Sequence, residues 1–150
     1  MKSLLAAVAM AGALCCAPAR ADPVGEARAL YARFVAAQNA GDFRAVADVL
    51  LDSETFLWVT NGVAVWGRDA AIRRMSEYHR AEVWHVEADT AHAVGVELNA
   101  GTALMNVPLD LAIGAKAGPD HFLFLVSALC VATPLGWRIA VLFTTTANPN

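Results

Sequence analysis

The stretch Phe34-Val-Ala-Ala-Gln-Asn-Ala-Gly-Asp-Phe43 constrains the fold more than any other, because one amphipathic helix must end and another begin inside it. Gly41 reaches the left-handed backbone conformation that closes a helix without a Cβ clash. Asp42 follows at once, and its carboxylate can accept from the free N–H groups of the next helical turn. The pair predicts a helical hairpin. Its first arm starts at Asp22-Pro23, where the carboxylate caps and proline takes a position whose N–H has no partner anyway, and it runs to about Ala40. Ala27, Leu30, Tyr31, Phe34 and Gln38 fall at helical spacing on one face, as Phe43, Val46, Ala47 and Leu50 do on the second arm.

A third helix is expected over roughly Arg68 to Arg80, turning Ala71, Ile72, Met75 and either Tyr78 or His79 inward, with Asp69 well placed against the helix dipole. The rest reads as strands. Thr55 to Thr60 and Val63 to Trp66 flank Asn61-Gly62, a turn in which both residues tolerate positive φ; this register sets Trp58 opposite Val65 and Leu57 opposite Trp66. Glu82 to Asp89 and His92 to Leu98 alternate, so each has one wet face. Phe122 to Val131 and Trp137 to Phe143 are apolar on both faces. Helices cover only one side of such a sheet, so a second copy of the chain is expected on the other, making a homodimer. Pro108, lacking an N–H, predicts an edge or a bulge in its strand.

Lys2 precedes an uncharged run, Leu4 to Cys16, which is shorter than the ~20 residues a membrane-crossing helix needs. Ala19-Arg20-Ala21 supplies the small residues of a cleavage site, so residues 1–21 read as a secretory signal peptide and residues 22–150 as one mature domain, periplasmic or secreted. Lipidation would need a small residue directly before the acylated Cys, whereas Cys15 follows Leu14 and Cys16 follows Cys15. Without the signal, 9 basic residues face 14 acidic ones, a net charge of −5 that argues against a nucleic-acid partner. No membrane association is expected after cleavage. Cys130 is then the sole cysteine, and no internal disulfide can form.

This order of elements resembles the nuclear transport factor 2-like superfamily, which includes the ketosteroid isomerases and the SnoaL-like polyketide cyclases. The resemblance implies an α+β, cone-shaped fold, with three N-terminal helices on the concave face of a curved, mainly antiparallel sheet around an apolar pocket. It can be followed residue by residue. Phe34 stands where the isomerases carry a Tyr that helps hold the substrate's developing oxyanion, and Trp58 where they carry an Asp general base. Asp120-His121-Phe122 is similar to the isomerase Asp-His-Phe, whose acid is a neutral donor in an apolar site, and Leu142-Phe143 resembles a pocket-lining Leu-Phe. One catalytic position of three is kept.

Taken on its own, Asp120 is the leading catalytic candidate, since Phe122, Phe124, Val141 and Phe143 around it would desolvate the carboxyl and raise its pKa. The competing reading makes Gly118-Pro119-Asp120 a polar turn with its carboxylate in water. Tyr31, one turn before Phe34 on the same face, is the second candidate as a hydroxyl donor, or else a core residue. Phe34, Trp58, Phe122, Phe124, Val141 and Phe143 form the expected ligand-binding surface. Asn106 and Asp110 share one strand face and read most simply as solvated. His79, His85, His92 and His121 lack the spacing of metal ligands, so no metal and no cofactor are expected. Cys130, inside an apolar run, reads as packing rather than as a nucleophile.

Two functions follow. One is a protein that binds a small apolar ligand without turning it over. The other is a cofactor-independent isomerase, cyclase or dehydratase using Asp120 with help from Tyr31 or a bound water. Proton transfer at carbon needs a base in reach, and with Trp58 in its place ketosteroid isomerisation is not expected.

Overall fold

The computed structural model describes residues 22–147, and the expected signal peptide lies outside the described residues. Helix α1 spans Pro23–Asn39 and α2 spans Phe43–Val49. Both start on the aspartates the sequence singles out: Gly25 N–H donates to Asp22 Oδ1 at 2.9 Å and Ala45 N–H to Asp42 Oδ1 at 3.0 Å. Each such cap contributes about 1 kcal/mol. Gly41 adopts φ 65° between them. Ala27, Leu30, Tyr31, Phe34 and Gln38 are all buried, as the periodicity of α1 requires.

The hairpin β1 (Leu57–Thr60) and β2 (Val63–Trp66) turns through Asn61 at φ 50° and Gly62 at φ 72°, in the expected register. Helix α3 (Arg68–Tyr78) follows, so two of the three helices precede the sheet and the third is inserted within it. Strands β3 (Val83–Ala88), β4 (Val94–Asn99), β5 (Thr102–Ala115), β6 (Gly118–Thr133) and β7 (Gly136–Thr146) complete a seven-stranded sheet. Its order is β2-β1-β7-β6-β5-β3, with β4 also paired to β5. Only β1 and β7 run parallel. The helices pack on one face, and the architecture is the curved α+β cone.

Pro108 is a correction. It lies in β5, an interior strand, and at no bulge. β5 changes partner there, from β4 along Thr102–Asn106 to β3 along Leu109–Gly114, and the missing N–H falls in the gap between them. The Pro108 carbonyl still accepts from Asp89 N–H at 2.8 Å.

Gly95 decides which face of β4 is wet. A Cβ at this position would collide with Val24 of α1, so the glycine faces the helix, while Val94, Val96 and Leu98 point outward and are exposed. Two bulges bend the sheet, one at Leu98 against β5 and one at Ala140 in β7. The outer faces of β6 and β7 carry exposed Leu123 and Phe143.

Candidate functional site

Between the inner face of the sheet and helices α1 and α3 lies a cavity of about 280 Å³. Strand alternation fixes its sheet wall: Leu109, Leu111 and Ile113 of β5 lie directly across from Phe124, Phe122 and Asp120 of β6. Val126 of β6, Leu142 and Thr144 of β7, and Trp58 and Thr60 of β1 continue the wall. Helix α1 contributes Tyr31, Phe34 and Gln38, one residue from each successive turn of its buried face.

Aromatic rings frame the space. Tyr78 of α3 stacks on Trp84 of β3 with centroids 6.3 Å apart, and meets Trp58 edge-on at 6.4 Å. The Trp58 indole N–H donates to Thr144 Oγ1 at 3.1 Å, which joins the parallel pair β1 and β7 by side chains as well as backbone. Arg74, one turn before Tyr78, donates to the Tyr78 hydroxyl at 3.2 Å. His79 packs edge-on against Phe43 at 5.3 Å and reaches the Gln38 carbonyl, fastening the end of α3 to the end of α1.

Of the residues expected at the site, Tyr31, Phe34, Trp58, Phe122 and Phe124 line the cavity together. Val141 and Phe143 do not. The bulge at Ala140 lets both Ile139 and Leu142 face inward, three positions apart, so parity reverses and Leu142 and Thr144 take the places that unbroken alternation would give Val141 and Phe143. Asp120 is also corrected in part. It shares the inward parity of Phe122 and Phe124 and stands across from Ile113 of the lining, but is itself outside the lining and exposed, without the apolar enclosure that would desolvate it. Asn106 and Asp110 sit on the outer face, where Asn106 donates to Ser127 Oγ at 3.0 Å and Asp110 Oδ2 pairs with His121 Nδ1 at 2.8 Å.

Thr60, Thr144, Tyr78 and Trp84 belong to the lining and are absent from the sequence-based site. Parity could have supplied two of them. Thr60 follows Trp58 on one face of β1, and Trp84 precedes Val86 on one face of β3.

Tyr31 of the lining is near enough to the buried Cys130 for their charges to interact, and burial raises the pKa of both. The Cys130 thiol goes from an ordinary 9.0 up to about 12. Both groups ionise more readily in the unfolded chain, so the stability they contribute is complete below the thiol's ordinary pKa and falls as pH rises through the folded values. Urea titrations at about pH 8 and about pH 10.5 should show lower stability at the higher pH, with Cys130→Ala removing part of the difference. Equal stability at both pH values would contradict the burial of these groups.

With the geometry of the cavity in place, the sequence itself supplies the classification. Residues 27–142 match the sequence model of the SnoaL-like domain. The chain belongs to the SnoaL-like family. No curated protein matches it in sequence. Solved structures share the fold of this SnoaL-like chain at low identity. A proposed dehydratase of the nuclear transport factor 2-like family from Streptomyces avermitilis superposes with a TM-score of 0.74 at 16% identity, covering 85% of this chain and 98% of that one. An uncharacterised protein with a cystatin-like fold from Caulobacter vibrioides gives 0.73 at 20% identity, covering 85% and 91%. A nuclear transport factor 2-like superfamily protein from Salmonella enterica gives 0.73 at 11% identity, covering 84% and 92%.

Proposed function

We propose that this SnoaL-like chain is an exported protein, periplasmic or secreted, whose cavity holds a small and largely apolar molecule without turning it over. One observation carries the reading: the lining contains no Asp, Glu, His, Cys, Lys or Arg. Proton transfer at carbon needs a base within hydrogen-bond reach of the substrate. Trp58 stands where the isomerases' base falls by resemblance, and its N–H is engaged by Thr144. The working form is a homodimer, because exposed Val94, Val96, Leu98, Leu123 and Phe143 lie on the side of the sheet away from the helices.

A second reading keeps Asp120 as the working acid of a cofactor-independent isomerase, cyclase or dehydratase. Its inward parity across from Ile113 favours this, as does the proposed dehydratase among the structures of like fold. Its exposure weighs against it.

Native mass spectrometry of the protein purified from its own periplasm should find a retained small molecule on a chain whose sequence starts at Asp22. Recovery of the full-length chain in the cytoplasm would remove the export claim. Neither the unmodified protein nor Phe34→Tyr should isomerise a ketosteroid measurably, while Phe34→Tyr with Trp58→Asp should yield a trace. Turnover by the unmodified protein would replace the binding reading with the second one.

A further inference from the structure

Three polar side chains of helix α1 and strand β1 line the apolar cavity without a hydrogen-bond partner among the described residues, and the Trp84 indole N–H is a fourth such group. Tyr31 is 4% exposed, Thr60 5% and Gln38 8%, and all three line the same space. Gln38 engages His79 through its backbone carbonyl, whereas its side-chain amide has no hydrogen-bond partner among the described residues. The hydroxyls of Tyr31 and Thr60 likewise have none there. The polar atoms of Tyr31, Thr60 and Gln38 keep accessible surface and are free to bond what occupies the cavity, whereas the Trp84 indole N–H in the same lining is buried and unpaired, which costs about 1–3 kcal/mol.

The rest of the lining says what that something is. Without an Asp, Glu, His, Lys or Arg in the wall, a charged ligand would lose its hydration and find no counter-charge there, at a cost of several kcal/mol. Phe34, Trp58, Tyr78, Trp84, Phe122 and Phe124 present flat surfaces instead. The volume, about 280 Å³, lies just below the ~300–1,000 Å³ usual for small-molecule sites, which favours a small ligand. Tyr31 and Gln38 are separated by two helical turns, ~10 Å along the axis of α1. They therefore address different parts of one ligand, or a ligand and a water beside it.

We infer that the cavity selects an uncharged molecule of one or two flat rings carrying a carbonyl or amide group, held by hydrogen bonds from the Tyr31 hydroxyl and the Gln38 side-chain amide. This rests on the binding reading above and narrows its ligand class. The Tyr31 phenol stays protonated, since burial raises its pKa, and so acts as donor. Gln38 supplies both a donor and an acceptor, and so suits a primary or cyclic amide better than a bare ketone. Thr60 supplies a further hydroxyl on the wall formed by β1.

Calorimetric titration of the mature protein with three probes of nearly equal shape tests this: 1-naphthamide, 1-naphthoate and 1-ethylnaphthalene. The amide should bind at least tenfold more tightly than the hydrocarbon, and the carboxylate should bind at least tenfold more weakly than the amide. Tyr31→Phe and Gln38→Met keep the size of each side chain, and each should reduce the amide's advantage over the hydrocarbon at least threefold. Thermal melts identify any variant that fails to fold, and the ranking of the three probes on the unmodified protein stands without the variants. Equal binding of amide and hydrocarbon, or preference for the carboxylate, would overturn the inference while leaving a binding cavity in place. If none of the three binds, the inference falls together with the reading beneath it.

Discussion

Asn39→Ala should lower the unfolding free energy by about 3 kcal/mol, read as a lower urea midpoint at unchanged slope. Asn39 ends α1, and its side chain reproduces a strand's hydrogen bonds: Val86 N–H donates to Oδ1 at 2.7 Å, and Nδ2 donates to the Val86 carbonyl at 2.9 Å. β3 ends the sheet on that side, and Val86, which is buried, forms part of the cavity wall. Removing the amide strands two backbone groups at once, each worth about 1–3 kcal/mol when dry. Asn39→Asp retains the acceptor and loses the donor, so it should fall between Ala and the native residue. A loss under about 0.5 kcal/mol would mean that water replaces the amide there.

Phe143→Glu should turn a dimer into a monomer at micromolar concentration. Phe143 is 43% exposed and lies beside Ser127, which in turn lies beside Asn106, so the three residues cross β7, β6 and β5 in one line on the outer face. A carboxylate introduced there would be buried without a partner if two copies pack face to face. That costs several kcal/mol, enough to raise the dissociation constant at least about a hundredfold. Sedimentation equilibrium of both proteins reads the result directly. Cys130→Ala should leave the dimer intact, because Cys130 is fully buried and pairs with Ile139 on the inner face. A native protein that sediments as a monomer would refute the homodimer outright.

The features legible in the sequence are those decided within a few residues. Asp22, Gly41 and Asp42 set helix ends through their own side chains and backbone, and Asn61-Gly62 sets both turn and register, so these parts of the fold agree with the pattern. Tyr31 and Phe34 were legible as inward because helical spacing is continuous along α1. The strands hid more. Alternation says which residues share a face but not which face meets the helices, and on β4 that choice rests on Val24 needing the space at Gly95. One extra residue at Ala140 leaves no mark in the apolar run of β7, yet it puts Val141 and Phe143 on the wrong side. The exposure of Asp120 depends on how far β5 and β6 extend past the cavity, which a local motif cannot express.

The extra residue at Ala140 also gives the cavity a tolerance to changes in chain length. Losing that single codon would restore strict alternation beyond Ile139 and still leave Leu142 and Thr144 indoors and Val141 and Phe143 out, because the residue removed is the one with no partner on β6. The Trp58 indole would keep its hydroxyl acceptor on Thr144. A one-residue gap at this place in related sequences therefore carries no information about the ligand, whereas a point substitution at Leu142 or Thr144 alters the wall directly.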